Sequence, residues 1–141
     1  MVIELVVATG MVLLTVLMHA IGLLLLERLT QFEAVEENKL SIKALSVAGI
    51  AMMMIVVLAL FVLHGAEIWL YALLYLKLGA ITDLRTAVYF STQTYAAIGF
   101  GDDAMQSNWH LVAAIEGING LLLLGWSTAF FVTMMRRLSR L

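Results

Sequence analysis

Apolar residues run almost without interruption from Val2 to Leu26, broken mainly by Glu4, Thr9, Thr15 and His19. At about 1.5 Å per residue in a helix, such a run crosses the ~30 Å hydrocarbon core of a bilayer. Residues 27–44 are polar and mixed in sign, carrying Glu27, Arg28, Glu33, Glu36, Glu37, Lys39 and Lys43. Leu29, Phe32, Val35 and Leu40 fall at helical spacing there, so the segment reads as a polar linker, either a helical hairpin connection or an interfacial helix. A second apolar run starts at residue 45, reaches Leu63 and continues past His64-Gly65 to Leu78. About 33 residues of helix would extend ~50 Å, more than the hydrocarbon core, so tilt, a bend at Gly65 or projection beyond the membrane is expected. Trp69, Tyr71 and Tyr75 are the residue types that favour a membrane–water interface. Gly79-Ala80-Ile81 breaks the pattern. Residues 83–97 then suit a helix too short to span, with Thr82 or Asp83 as its N-cap. The last apolar run covers residues 109–135, interrupted by Glu116, Gly117, Asn119, Gly120 and Gly125.

Composition sharpens this pattern. The chain has 141 residues, 63% of them hydrophobic, and a mean hydropathy of +1.02. A soluble domain of this size cannot cover so much apolar surface, so the fold class is an all-α integral membrane protein. Zero cysteines exclude disulfides and thiolate metal sites, and zero prolines exclude proline kinks. A net charge of −2 gives no ground for nucleic-acid binding. The start, Met1-Val2-Ile3-Glu4, lacks the basic residues of a secretory signal, so the first run is expected to be a retained spanning helix. It carries no arginine ladder of the kind a voltage sensor needs.

Basic residues set an expected orientation. Arg28, Lys39, Lys43, Arg136, Arg137 and Arg140 all become cytoplasmic if the amino terminus lies outside, leaving only Lys77 and Arg85 external. The bias of six to two places the 27–44 linker and the carboxyl terminus in the cytoplasm.

The most specific signal is Thr94-Tyr95-Ala96-Ala97-Ile98-Gly99-Phe100-Gly101-Asp102, which follows the short helical segment and precedes the last span. Turning successive carbonyls to one side needs backbone angles open mainly to glycine, and Gly99 and Gly101 supply them at alternate positions. From about Leu45 to Arg137 the chain resembles the pore domain of tetrameric potassium channels. In that family, rings of backbone carbonyls replace an ion's hydration shell. The resemblance implies three spanning helices, a re-entrant pore helix and a filter loop per subunit, the amino-terminal helix being an addition to the minimal two-helix pore. The implied parts are an outer helix 45–78, a pore helix 83–97, a filter 97–102 and an inner helix 109–135. Ala97, Ile98, Gly99, Phe100 and Gly101 are then the conducting filter, with K⁺ at their carbonyls. One filter segment per chain implies a homotetramer in a bilayer, with multi-pass insertion in a plasma membrane of bacterial type, passive cation conduction and no enzymatic activity. The amino terminus and Asp102 then lie outside.

The sequence departs from the family pattern T-x-T-T-V/I-G-Y/F-G-D at Ala96 and Ala97. The second threonine would add hydroxyl oxygens to the innermost ion site, which Ala97 cannot do. Weak cation selectivity is therefore an alternative, and a non-conducting partner subunit is another. Gln93, Thr94, Asp102 and Asp103 are expected to support the filter or its outer mouth. Glu116 lies about 10 Å into the last span. It is expected either to brace the short helix through Ser91, Thr92 or Gln93, or to line the conduction path. Gly117 and Gly120 are candidate gating hinges, with close helix packing as the other reading. His64 and Glu67 share a helix face at i,i+3, but two ligands are too few for a closed metal site.

Overall fold

The computed structural model describes residues 1–37, 47–99, 105 and 107–138. Four helices account for nearly all of them: α1 (Val2–Glu37), α2 (Val47–Lys77), α3 (Leu84–Tyr95) and α4 (His110–Leu138). A 3₁₀ turn, Ser107–Trp109, leads into α4. Three helices are long and apolar enough to cross a membrane, over Val2–Thr30, Gly49–Lys77 and His110–Arg136.

Helix α1 does not stop at Leu26. It continues through residues 27–37, so the first part of the expected linker is helical and extends the same rod. Residues 38–46, with Lys39 and Lys43, lie outside the described part. Helix α2 runs unbroken through Gly65, and nothing lies within 4 Å of a Cβ built there.

Local chemistry sets the two ends around α3. Helix α2 closes with the N–H of Ala80 on the Tyr75 carbonyl (2.9 Å) and the N–H of Gly79 on the Leu76 carbonyl (3.1 Å). This paired arrangement needs a left-handed residue after the last turn, and Gly79 takes φ +63°. Helix α3 starts at Asp83, whose carboxylate accepts from the Thr86 backbone N–H (2.8 Å) and hydroxyl (2.9 Å). Those bonds hold the exposed Asp83 carboxyl below the usual carboxylate range, the backbone N–H contributing most.

Packing follows from these elements. Helix α3 sits against both α2 and α4, and α1 packs on α2 and α4. Two apolar cores form. One joins Ala8 and Met11 of α1 with Tyr71, Ala72 and Tyr75 of α2, Ala87 and Phe90 of α3, and Val112 and Ala113 of α4. The other joins Leu23 and Leu26 with Val56, Leu60 and Met134. The starts of α1 and α4 therefore meet in one core and their later turns in the other, so these helices run parallel and α2 runs against them. Between the cores lie buried polar side chains: Thr15, His19, Glu67, Glu116, Asn119 and Ser127. In a lipid-facing molecule such groups must be paired inside the protein.

Tyr71 and Tyr75 correct an expectation. They are fully buried rather than placed at an interface, because their hydroxyls reach polar partners in this layer. Trp69, on another face of α2, stays about half exposed, at 49%.

Candidate functional site: the end of α3 and its supports

The last turn of α3 hands the chain to the filter-like segment. The N–H of Ala97 bonds the Thr94 carbonyl (2.9 Å), and that of Ile98 bonds the Gln93 carbonyl (2.9 Å). This is the same terminating motif as at Gly79, now with Ala97 in the left-handed position at φ +54°. Gly99 follows with φ +62°. Left-handed backbone at 97 and 99 turns the chain sharply away from the helix axis. Ile98 is 59% exposed on the single chain. Phe100, Gly101, Asp102 and Asp103, the rest of the expected filter and outer mouth, lie outside the described residues.

Gln93 and Thr94 are half-buried, and their carbonyls serve the cap. Behind them stands α4, in close contact. A Cβ at Gly120 would come within 2.1 Å of the Tyr95 carbonyl oxygen, and one at Gly117 within 3.2 Å of the Thr94 carbonyl oxygen. Gly120 thus has a packing reason for being glycine, where the sequence also allowed a hinge. Its missing side chain is the space into which the end of α3 fits.

Glu116 is fully buried and holds α3 from the side. One carboxylate oxygen accepts from the Ser91 hydroxyl at 2.5 Å, and the other accepts from the Tyr75 hydroxyl. The Ser91 hydroxyl also lies 2.9 Å from the Ile68 carbonyl. Glu116 therefore links α4 to α2 and α3 together. Of the partners expected for it, Ser91 is present. Tyr75 is a further one, and nothing in the α2 pattern shows which way its hydroxyl points.

A second buried set surrounds Glu67, which the sequence places in an apolar helix with only His64 beside it. Glu67 accepts from the Tyr95 hydroxyl and lies 2.9 Å from His19 Nδ1. His64 Nδ1 lies 2.9 Å from the Tyr95 hydroxyl. Ser127 Oγ lies 2.9 Å from His64 Nε2 and 3.2 Å from His19 Nε2. A third set joins Asn119 Nδ2 to the Thr15 hydroxyl (2.8 Å) and the Tyr71 hydroxyl (3.3 Å). The common signal for these residues is a polar side chain inside an otherwise apolar span.

The arrangement does one thing mechanically. A short helix that cannot span is fixed at its start by Asp83 and along its length by Ser91. It is fixed at its end by Tyr95, Gly117 and Gly120, so the loop after Ala97 leaves from a defined point. No curated protein and no solved structure matches the chain. Residues 59–137, from the middle of α2 to the end of α4, match the family described as "Ion channel". That match covers more than half of the 141 residues and takes in α3, its caps and the Glu116 brace. This multi-pass membrane protein therefore belongs to that ion channel family.

Proposed function

We propose that the chain forms a passive, potassium-conducting channel as a homotetramer, with the filter built from the carbonyls of Ala97, Ile98, Gly99, Phe100 and Gly101. The observation that carries this reading is a braced, non-spanning helix set between two spans that ends directly in Ile98-Gly99-Phe100-Gly101-Asp102. Four copies around an axis would bring four such loops together and cover the exposed Ile98. The carboxyl end of α3 carries the negative end of its helix dipole, which favours a cation in front of it. The basic residues favour an external amino terminus and a cytoplasmic carboxyl terminus.

A second reading, weaker discrimination between monovalent cations, is favoured by Ala97. Its left-handed φ of +54° is uncommon for any residue with a Cβ, and a β-branched threonine at such an angle is an outlier. The innermost site of this filter would then be built from carbonyls alone.

The test is flux of K⁺, Rb⁺ and Na⁺ into liposomes holding the purified protein, alongside native mass measurement. The reading expects a tetramer, K⁺ and Rb⁺ flux above Na⁺, and loss of flux in Gly99→Ala with assembly retained. A Cβ at φ +62° opposes the backbone angle needed there. A species no larger than a dimer, or full flux in Gly99→Ala, removes the assignment.

A further inference from the structure

The structure assigns a transition-metal site of the zinc class to His19, His64 and Glu67, buried between α1 and α2. It stands outside the conduction segment and does not depend on whether the chain conducts. His64 and Glu67 share one face of α2 by their i,i+3 spacing, and α1 supplies the third donor. One ligand atom from each of the three residues lies within 4.8 Å of the other two. His19 Nδ1 is 2.9 Å from one Glu67 oxygen, and His64 Nδ1 is 3.3 Å from the other. Donors about 2.0–2.2 Å from a tetrahedral zinc lie roughly 3.3 Å apart, a spacing that both histidine–Glu67 separations are near.

Two further observations point to a cation. First, both imidazoles present Nδ1 to Glu67 and turn Nε2 to the same Ser127 oxygen. A metal-bound histidine nearly always donates its other ring N–H to an oxygen, which fixes ring orientation and ligand basicity. Here a single hydroxyl from α4 serves both rings. Second, His19, Glu67, Tyr95, His64 and Ser127 form a closed ring of five contacts, so the three donor residues are held facing one another by side chains from all four helices. A metal ion on the two Nδ1 atoms and the carboxylate leaves both Nε2–H groups for Ser127. The Tyr95 hydroxyl lies against both Glu67 and His64.

Donor type narrows the ion. Two imidazole nitrogens and one carboxylate suit Zn²⁺, or Cu²⁺ and Co²⁺ as probes, whereas Mg²⁺ and Ca²⁺ favour all-oxygen shells. Bound there, the ion ties α1 to α2 and, through Tyr95 and Ser127, to the end of α3 and to α4. The added first helix thereby completes the ligand set that anchors the turn before the filter segment.

The experiment uses the full-length protein in detergent, freed of any affinity tag and stripped with chelator. Zn²⁺ is titrated calorimetrically, and Co²⁺ is followed by quenching of tryptophan emission, since the Trp126 ring lies 5.4 Å from the His19 ring. One Zn²⁺ per chain is expected, with an affinity at least about 10- to 100-fold weaker in Ser127→Ala, the loss typical of a removed outer-shell partner. His19→Gln should lose saturable binding, and His110→Gln should keep it. Absence of saturable binding to the stripped wild-type protein overturns the site. Unchanged binding in both Ser127→Ala and His19→Gln also overturns it, and means an adventitious ion only. The wild-type titration decides even if His19→Gln fails to fold.

Discussion

Replacing the glycines of α4 by alanine one at a time separates packing from hinging. A methyl group at Gly120 would sit 2.1 Å from the Tyr95 carbonyl oxygen, 2.9 Å from its carbon and 3.0 Å from its Cα. All three are backbone atoms, so no rotamer change relieves the clash. Ordinary contact begins near 3.4 Å, so α3 and α4 must separate by about 1 Å. Overpacking of this kind costs ~1–3 kcal/mol, and rigid backbone on the far side puts this case at the upper end. The helix-propensity gain of alanine over glycine returns about 1 kcal/mol, for a net loss of ~2 kcal/mol. At Gly117 the nearest atom is 3.2 Å away and the two effects should nearly cancel. At Gly125 nothing lies within 4 Å, so alanine should stabilise the subunit by up to about 1 kcal/mol. The assay is equilibrium unfolding in mixed detergent micelles, read by tryptophan fluorescence, with flux measured on the same preparations. The expected order of stability is Gly125→Ala, then Gly117→Ala, then Gly120→Ala. If Gly120→Ala is within about 0.5 kcal/mol of Gly125→Ala, the close approach of α4 to Tyr95 is wrong. Unchanged stability with altered opening would return Gly120 to the role of hinge.

Two further outcomes follow from the supports of α3. Glu116→Gln should cost less than Glu116→Leu, because leucine leaves the buried Tyr75 hydroxyl unpaired at ~1–3 kcal/mol, while Ser91 keeps the Ile68 carbonyl. Adding Tyr75→Phe to Glu116→Leu should recover part of that loss, and a purely additive double mutant in the same unfolding assay would refute the pairing. Asp83 has a depressed folded-state pKa, so its stabilisation is present above about pH 3.9, the unfolded value, and is lost as pH falls through the folded value. Asp83→Asn keeps a cap that does not titrate. Thermal unfolding followed from about pH 6 to 3 should therefore fall less steeply for Asp83→Asn than for wild type, and identical acid limbs would refute the cap.

Much of this protein was legible along the chain because it rests on local rules. Apolar length alone defines the three spans, since a bilayer demands about 20 apolar residues in a row. The short segment between the second and third spans follows from the same count. Asp83 and Gly79 mark helix ends because a free N–H needs a nearby acceptor and a left-handed turn favours glycine. The segment Ile98-Gly99-Phe100-Gly101-Asp102 carried the resemblance that the family match over residues 59–137 then bore out at the level of an ion channel.

What only the tertiary structure decided is which polar groups meet. Glu67 gains His19 from 48 residues away, and Ser127 reaches His19 across 108. Tyr71 and Tyr75 look like interface residues by type, yet they turn inward because Asn119 and Glu116 need their hydroxyls. Gly120 reads from the sequence as a hinge or a packing residue, and only the fold shows that the Tyr95 carbonyl lies against it. Ala97 departs from the family pattern in sequence, while its left-handed angle appears only once α3 is capped. These outcomes depend on how far each helix is rotated about its axis against its neighbours. A span that is apolar on nearly every face does not encode that rotation in its own pattern. It is fixed by burying the few polar groups against one another, and lipid offers them no other partner.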